Sequence, residues 1–422
     1  MRTIKSMDRR GRRAVGRGMT RREALRAGFG GLGLVMVGST LMGCGSSSSA
    51  AAGPVSNIGN LGPLGEPDAN GIRLPEGFTS RVLARSREAV LPGSSYRWHL
   101  APDGVATFAA EDGGWVYVSN SEIPGVGGVG ALRFDADANI VDAYPILRQT
   151  NVNCAGGPTP WGTWLSCEEV ANGRVFECDP FGGELHPEKI GIERPALGYF
   201  QHEAATLDPE MGQLYLTEDV PDGCFYRYTP HVLTEDGHLD LTAGTLEVAQ
   251  VLGDPTGAVE WHLVSDPNPN LAQLDAVPTR YQAPDATAFR GGEGIWYHQG
   301  IVYFTTKGDN RVWAFDVAAS RMELLYDDDS SDNPILTGVD NVVVAPTGEV
   351  IVAEDGGDMQ IVAITPAGEL QPLLQIVGQD ESEITGPAFS PDLKRLYFSS
   401  QRGIVNFPFH GITYEVTGPF FL

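Results

Sequence analysis

From about residue 72 onward the chain alternates short apolar runs, rich in β-branched and aromatic residues, with Pro, Gly and Asp turns. A sustained helical period is almost absent, so the pattern predicts strands throughout. One strand recurs. It reads Trp115-Val116-Tyr117-Val118-Ser119 within residues 114–122, and returns at 162–169, 213–219, 301–307, 349–355 and 395–401. Most copies follow a strand and a tight turn, such as Pro102-Asp103-Gly104, Pro346-Thr347-Gly348 or Pro391-Asp392. Most precede a strand carrying aromatics, such as Val175-Phe176-Glu177, Phe225-Tyr226-Arg227-Tyr228 and Val312-Trp313-Ala314-Phe315-Asp316. Six copies at blade-sized intervals predict an all-β, six-bladed β-propeller as one domain over residues 72–422. A large sandwich or irregular barrel is the competing arrangement. The long interval between the third and fourth copies marks 231–285 as an insertion.

The first residues follow a different pattern. A basic stretch over residues 2–26, containing Arg21-Arg22, gives way to a weakly apolar, Gly-rich run and ends in Leu41-Met42-Gly43-Cys44. That order predicts a signal peptide over 1–43, with Arg21 and Arg22 marking the twin-arginine export route. Cys44 stands as the lipidated first residue of the mature chain, and residues 44–71 as a flexible tether. The expected location is the periplasm or cell surface, with membrane contact only through the anchor at Cys44. Residues 1–43 hold ten of the 29 Lys and Arg but only two of the 54 acids. The chain from Cys44 on therefore carries 19 bases against 52 acids, a net of −33. A surface so acidic excludes nucleic acid and anionic lipid as partners, and a monomer is expected. Four cysteines besides Cys44 lack the paired spacing of a zinc ribbon.

Acids recur with the strands. From the start of one strand to the end of the next, Cys154 to Glu168 is 14 residues, Glu203 to Glu218 is 15, and Glu293 to Lys307 and Asp340 to Glu354 are 14 each. The start of one antiparallel strand lies beside the end of the next, so each pair is expected on one rim. The repeat then gathers Glu168, Glu169, Glu203, Glu218, Asp219, Glu293, Glu354 and Asp355 around one mouth. Carboxylates at such density repel one another unless cations hold them. Oxygen donors suit calcium, whereas the thiolate of Cys154 suits a softer or higher-valence metal such as iron. Solvated acidic loops and a packed structural cysteine are the plainer reading of each residue taken singly. The eight histidines are isolated or off this register, and neither a Gly-x-Ser-x-Gly elbow nor a phosphate-cradling Gly-Lys loop is present. Any chemistry is expected to come from metals.

Four segments carry a family resemblance: Trp98-His99 with Ala101-Pro102-Asp103-Gly104, residues 113–122, Asn153-Cys154-Ala155-Gly156-Gly157 with residues 159–169, and His202-Glu203-Ala204-Ala205. Together they resemble PhoX-type alkaline phosphatases over about residues 72–420. The resemblance implies a propeller whose mouth holds two oxo-bridged Fe3+ ions and several Ca2+ ions and which hydrolyses small phosphoesters outside the cytoplasm. Cys154, Glu203 and Glu293 match its iron ligands. Glu122, Glu168, Glu169, Glu218, Asp219, Glu354 and Asp355 stand where further metal-binding carboxylates are expected. Arg290 resembles the arginine that grips the substrate phosphate, although Arg290-Gly291-Gly292-Glu293 is one residue longer than the family's Arg-Pro-Glu. Asn120 or Asn153 would help orient the phosphate, and Lys307 would place charge at the leaving group. Two other readings stay open at this point. A propeller lactonase or gluconolactonase needs one calcium and no cysteine, and a metal-stapled lipoprotein scaffold needs no Arg290.

Overall fold

The computed structural model describes residues 53–182 and 191–422. The signal peptide, Arg21, Arg22 and Cys44 lie outside the described residues. Within them the protein is all-β with six single-turn 3-10 helices, and no helix is long and apolar enough to cross a membrane. All six recurrent segments are strands: Trp115–Ser121, Trp164–Glu168, Gln213–Glu218, Ile301–Thr306, Val350–Glu354 and Arg395–Ser400. Each is almost wholly buried. Both faces are covered because each sheet packs against its neighbours in the propeller-like arrangement.

Each recurrent strand pairs with a preceding inner strand. The inner strands are Pro102–Ala109, Asn153–Pro158, His202–Asp208, Gly292–His298, Val339–Val344 and Ile384–Phe389. They form a ring, each beside the next and the last beside the first. The Pro102-Asp103-Gly104 stretch, expected as a turn, opens an inner strand instead. Backbones approach closely here: a Cβ on Gly104 would stand 2.5 Å from Ala155 Cα, so only glycine fits.

The sheets differ from six separate units. Four contain four or five strands, and one contains nine, in which Gly257–Leu263 pairs with Arg321–Asp327 through Gly257 with Met322 and Ala258 with Arg321. Residues 231–285 supply both the Gly244–Leu252 strand and this joining strand. The ends of the chain are tied together, since Thr79–Arg85 adds to Ile412–Thr417 as the outermost strand of the last sheet. Ile72–Arg73 likewise extends the sheet of Val350–Glu354. Part of the stretch read as a tether is packed. Ser56 bridges Phe421, and Ile58 and Leu61 are buried beside Ile361 and Ile376, because two apolar side chains gain more from that core than from water.

All six inner strands carry a register shift at the same place, so that two inner residues face one partner residue. Such a bulge bends the strand and re-aims a side chain. The first bulged residues are Asp103, Cys154, Glu203, Glu293, Asp340 and Gly386. Five of the six therefore bring a potential metal ligand to the ring.

Candidate metal centre

The bulged side chains and the ends of the adjoining strands meet in four overlapping groups. Asp103, Glu122 and Cys154 form one; Cys154, Glu169 and Glu203 a second; Glu203, Glu293 and Asp340 a third; Asp340, Asp355 and Glu383 a fourth. Within each group one ligand atom per residue lies within 4.8 Å of the others. The groups share Cys154, Glu203 and Asp340, so they form one continuous arc. Cys154 Sγ stands 3.3 Å from Glu203 Oε1.

Charge at this arc is poorly balanced. Its eight carboxylates face two cations. Lys307 Nζ lies 3.0 Å from Glu293, 3.2 Å from Asp355 and 3.6 Å from Asp340. Arg402 lies 2.7 Å from Glu383 and 3.1 Å from Asp355. Burial, followed by neighbouring carboxylates, pushes the Asp103, Glu203 and Glu383 carboxyls well above the usual range. Glu293 is also held high by burial, which outweighs the opposing charge of Lys307. Burial raises Glu122 to about 7 and Glu169 to about 8, and it lifts the Cys154 thiol with the same acids adding to it. Lys307 is disfavoured by burial but held protonated by Asp340, Glu293, Glu383 and Asp355.

Several buried oxygens lack hydrogen bonds. Glu203 Oε2 has none, and Glu293 Oε1 and Asp340 Oδ2 have only their ion-pair contacts with Lys307. A buried anionic oxygen left without a donor is costly. Cations resolve both the repulsion and the missing partners, so this donor set fits metal: carboxylate oxygens for hard ions, with one sulfur among them.

The expected ligands divide by strand alternation. Glu169 and Asp355 belong to the arc, and Asp219 sits at its edge, its Oδ1 3.0 Å from where a Cβ on Gly291 would stand. Glu168, Glu218 and Glu354 do not join it. They pair across the hairpins with Asn153, His202 and Val339 and point to the other face. Each is a buried clamp for its own sheet. Glu168 accepts from Arg174 Nε at 2.8 Å and Asn151 N at 2.8 Å. Glu218 accepts from Arg280 and the Tyr226 hydroxyl, both at 2.8 Å. Glu354 accepts from the Thr337 and Gln360 amides, both at 2.8 Å.

Asn120 and Asn153 are also committed elsewhere. Asn120 Nδ2 donates to the carbonyls of Cys154 and Ala155 at 3.0 and 2.7 Å, while its Oδ1 accepts from Trp164 and Ser166. Asn153 donates to Ser166 and accepts from Thr150. Asn120 has no side-chain donor left for a phosphate, and Asn153 is fully buried. The same linkage recurs where Thr217 donates to the Glu293 carbonyl at 2.6 Å and Thr305 to that of Asp340. Polar side chains of one recurrent strand thus hold the bulged residue of the next inner strand.

Arg290 is exposed beside Gly291, whose φ of +66° turns the chain into the inner strand. Its carbonyl accepts from Gly308 N at 2.9 Å, and among the described residues its guanidinium has no ion pair. Asp103, Glu383 and Arg402 were not singled out from the sequence as site residues. Asp103 was hidden by its turn-like setting. Glu383 precedes the last inner strand, whose bulge holds Gly386 where the others hold a ligand type, and Arg402 follows its partner strand. The four cysteines of the described residues are free and buried, and Cys167 packs with Leu165, Val175 and Ala205 in an apolar core.

Comparison with known proteins completes the description. No curated protein matches the chain. By structure it is similar to Pseudomonas fluorescens PhoX in complex with vanadate, a transition state analogue, at 18% identity and a TM-score of 0.64, covering 87% of this chain and 98% of the other. A gluconolactonase from Xanthomonas campestris aligns with a TM-score of 0.47 at 13% identity, covering 85% of this chain and 98% of that one. The family model described as alkaline phosphatase PhoX matches residues 128–177, 171–326 and 312–403. These matches take in well over half of the chain and every inner strand but the first, and the chain belongs to the PhoX alkaline phosphatase family, whose members are metal-dependent phosphomonoester hydrolases.

Proposed function

We propose that the chain hydrolyses small phosphomonoesters at the carboxylate arc, with Ca2+ and Fe3+ as its metals. The observation that carries this reading is the repeated bulge, which turns five potential ligands inward and leaves buried oxygens without donors. Cys154 and Glu203, adjacent through Sγ and Oε1, are the iron ligands, with Glu293 as the third. Asp103, Glu122, Glu169, Asp340, Asp355 and Glu383 hold the remaining cations, and Asp219 stands at the edge. Bound metals supply charge that neutralises the phosphoryl oxygens and favours in-line attack. Arg290, free of ion pairs at the rim, binds phosphoryl oxygens through its planar fork. Lys307, held protonated among acids, places positive charge beside the leaving group.

The nine-stranded sheet is read as two blades joined at their outer edges, making six blades around the ring. The protein is proposed to leave the cell by the Arg21-Arg22 route and to be anchored at Cys44. A scaffold with metal staples leaves Arg290 without a purpose, and a single-calcium lactonase leaves three of the four ligand groups and a thiol unexplained. Strong chelator is expected to abolish hydrolysis of a generic phosphomonoester and to lower the melting temperature, since cations bound only by the folded state stabilise it by about 2.7 kcal/mol at a hundredfold excess over the dissociation constant. Calcium alone should restore stability more fully than activity. Hydrolysis that persists unchanged in chelator contradicts the proposal.

A further inference from the structure

The loop joining the last two strands of the sheet with Ile384–Phe389 carries Ile404, Val405, Phe407 and Phe409, which are 70, 59, 50 and 40% exposed. Among the described residues no other six-residue stretch exposes four large apolar side chains. Exposed apolar residues scattered singly are ordinary, whereas a contiguous patch marks a binding surface. This patch adjoins the mouth at both ends. It follows directly on Gln401, which donates to Asp103 at 2.6 Å, and on Arg402, which pairs with Glu383 and Asp355. Phe407 N donates to the Arg402 carbonyl at 3.0 Å. At the far side Ala101 N donates to the Pro408 carbonyl at 2.9 Å, and Glu122 N donates to the Ala101 carbonyl at 3.1 Å. The loop is therefore anchored at Arg402, beside two acids of the arc, and at Ala101, whose carbonyl binds the backbone amide of Glu122. The Phe407 and Phe409 rings meet edge to face at 4.9 Å, and the Arg87 guanidinium lies 5.6 Å from the Phe409 ring, so the patch is held in place.

We propose that this loop is an apolar lip that binds the alcohol portion of the substrate, making aryl and alkyl phosphomonoesters the preferred class. The inference rests on the phosphatase reading of the mouth. A phosphoester bound at the arc would lead its alcohol portion toward solvent, and the lip begins at Arg402, which pairs with two acids of that arc. A lipid surface is a poorer occupant. The segment 403–410 itself contains no lysine or arginine, its neighbour Arg402 is bound to two acids, Asn406 bonds Glu381, and Arg87, which reaches the patch, lies over the Phe409 ring. A membrane-lying segment ordinarily pairs its apolar face with basic residues.

The test is calorimetric titration of the metal-loaded full chain, carrying Cys44→Ser so that no acyl chain contributes, with 1-naphthylphosphonate and methylphosphonate. Wild type is expected to bind the naphthyl compound about tenfold more tightly, as burial of part of one aromatic ring allows. The Ile404→Ser/Phe407→Ser double variant should bring the two affinities within about twofold, and Phe407→Trp should keep the preference. Both positions are exposed, so folding is preserved. Equal affinities in wild type, or a preference untouched by the double variant, overturn the lip. So does sedimentation of wild type, but not of the double variant, with phosphatidylglycerol vesicles. Hydrolysis of glycerol phosphate by wild type separates the two claims: with hydrolysis present, an unchanged preference sinks the lip alone, and with hydrolysis absent the phosphatase reading falls and the lip with it.

Discussion

Glu168 and Glu169 are neighbours in the chain with opposite tasks. Glu168 is buried against Arg174 and the Asn151 amide, whereas Glu169 shares a ligand group with Cys154 and Glu203. Glu168→Gln is therefore expected to cost about 1–3 kcal/mol of stability through the weakened charged hydrogen bonds while metal content stays normal. Glu169→Gln should do the reverse, cutting metal retention and turnover at least about tenfold, as loss of a ligand-shell partner does, with no loss of melting temperature in the metal-free protein. Metal analysis and thermal unfolding of both variants check this, and a metal loss in Glu168→Gln equal to that in Glu169→Gln contradicts it. The pair also shows what the sequence could convey. That acids and Cys154 recur with the strands was legible, because the repeat is written in residue types. Which acid of each pair faces the centre was not, because counting along the chain cannot see two residues set against one at a bulge.

The bulge is the element that makes the site. It recurs in all six inner strands, and polar side chains of three recurrent strands bind its carbonyls in the next inner strand of the ring. Asn120 is thus a positioning residue for Cys154 and not a phosphate ligand. Asn120→Ala leaves the Cys154 and Ala155 carbonyls and the Trp164 and Ser166 donors short of a partner. A loss of about 2–4 kcal/mol is expected from several buried groups, each costing about 1–3 kcal/mol before relaxation. Asn120→Asp, which keeps the acceptor but not the donor, should fail to restore iron content, whereas a purely structural packing role would tolerate it as a near-isostere. Strand existence was readable from alternation, and the turns at Pro346-Thr347-Gly348 and Pro391-Asp392 from Pro, Gly and Asp, whereas Pro102-Asp103-Gly104 opens a strand. The joining of two sheets into nine strands was not readable, since Gly257 and Ala258 pair with residues more than sixty positions away and carry no local sign of it. Ile58 and Leu61 were likewise unreadable inside a stretch of small and polar residues.

At the scale of the whole molecule the buried acids gather where the inner strands meet. In metal-free protein, burial holds Glu122 near 7 and Glu169 near 8, above the 4.5 of an exposed glutamate. Their folded forms therefore bind more protons than the unfolded chain between about pH 4.5 and 8. Stability of the metal-free protein should fall as pH rises through that window, and saturating calcium should flatten or reverse the fall, because cations take up the deprotonated carboxylates. Melting temperatures at pH 5 and pH 8, with chelator and with calcium, check this; a metal-free protein more stable at pH 8 contradicts it. The central claim is that the ring gathers a mixed metal centre around one thiolate, and its most direct measurement is iron content with visible absorption of the purified Cys154→Ser protein. Loss of iron and of charge-transfer absorption in Cys154→Ser, with the fold intact and both retained in Cys167→Ser, is the expected result. Unchanged iron and absorption in Cys154→Ser would contradict it.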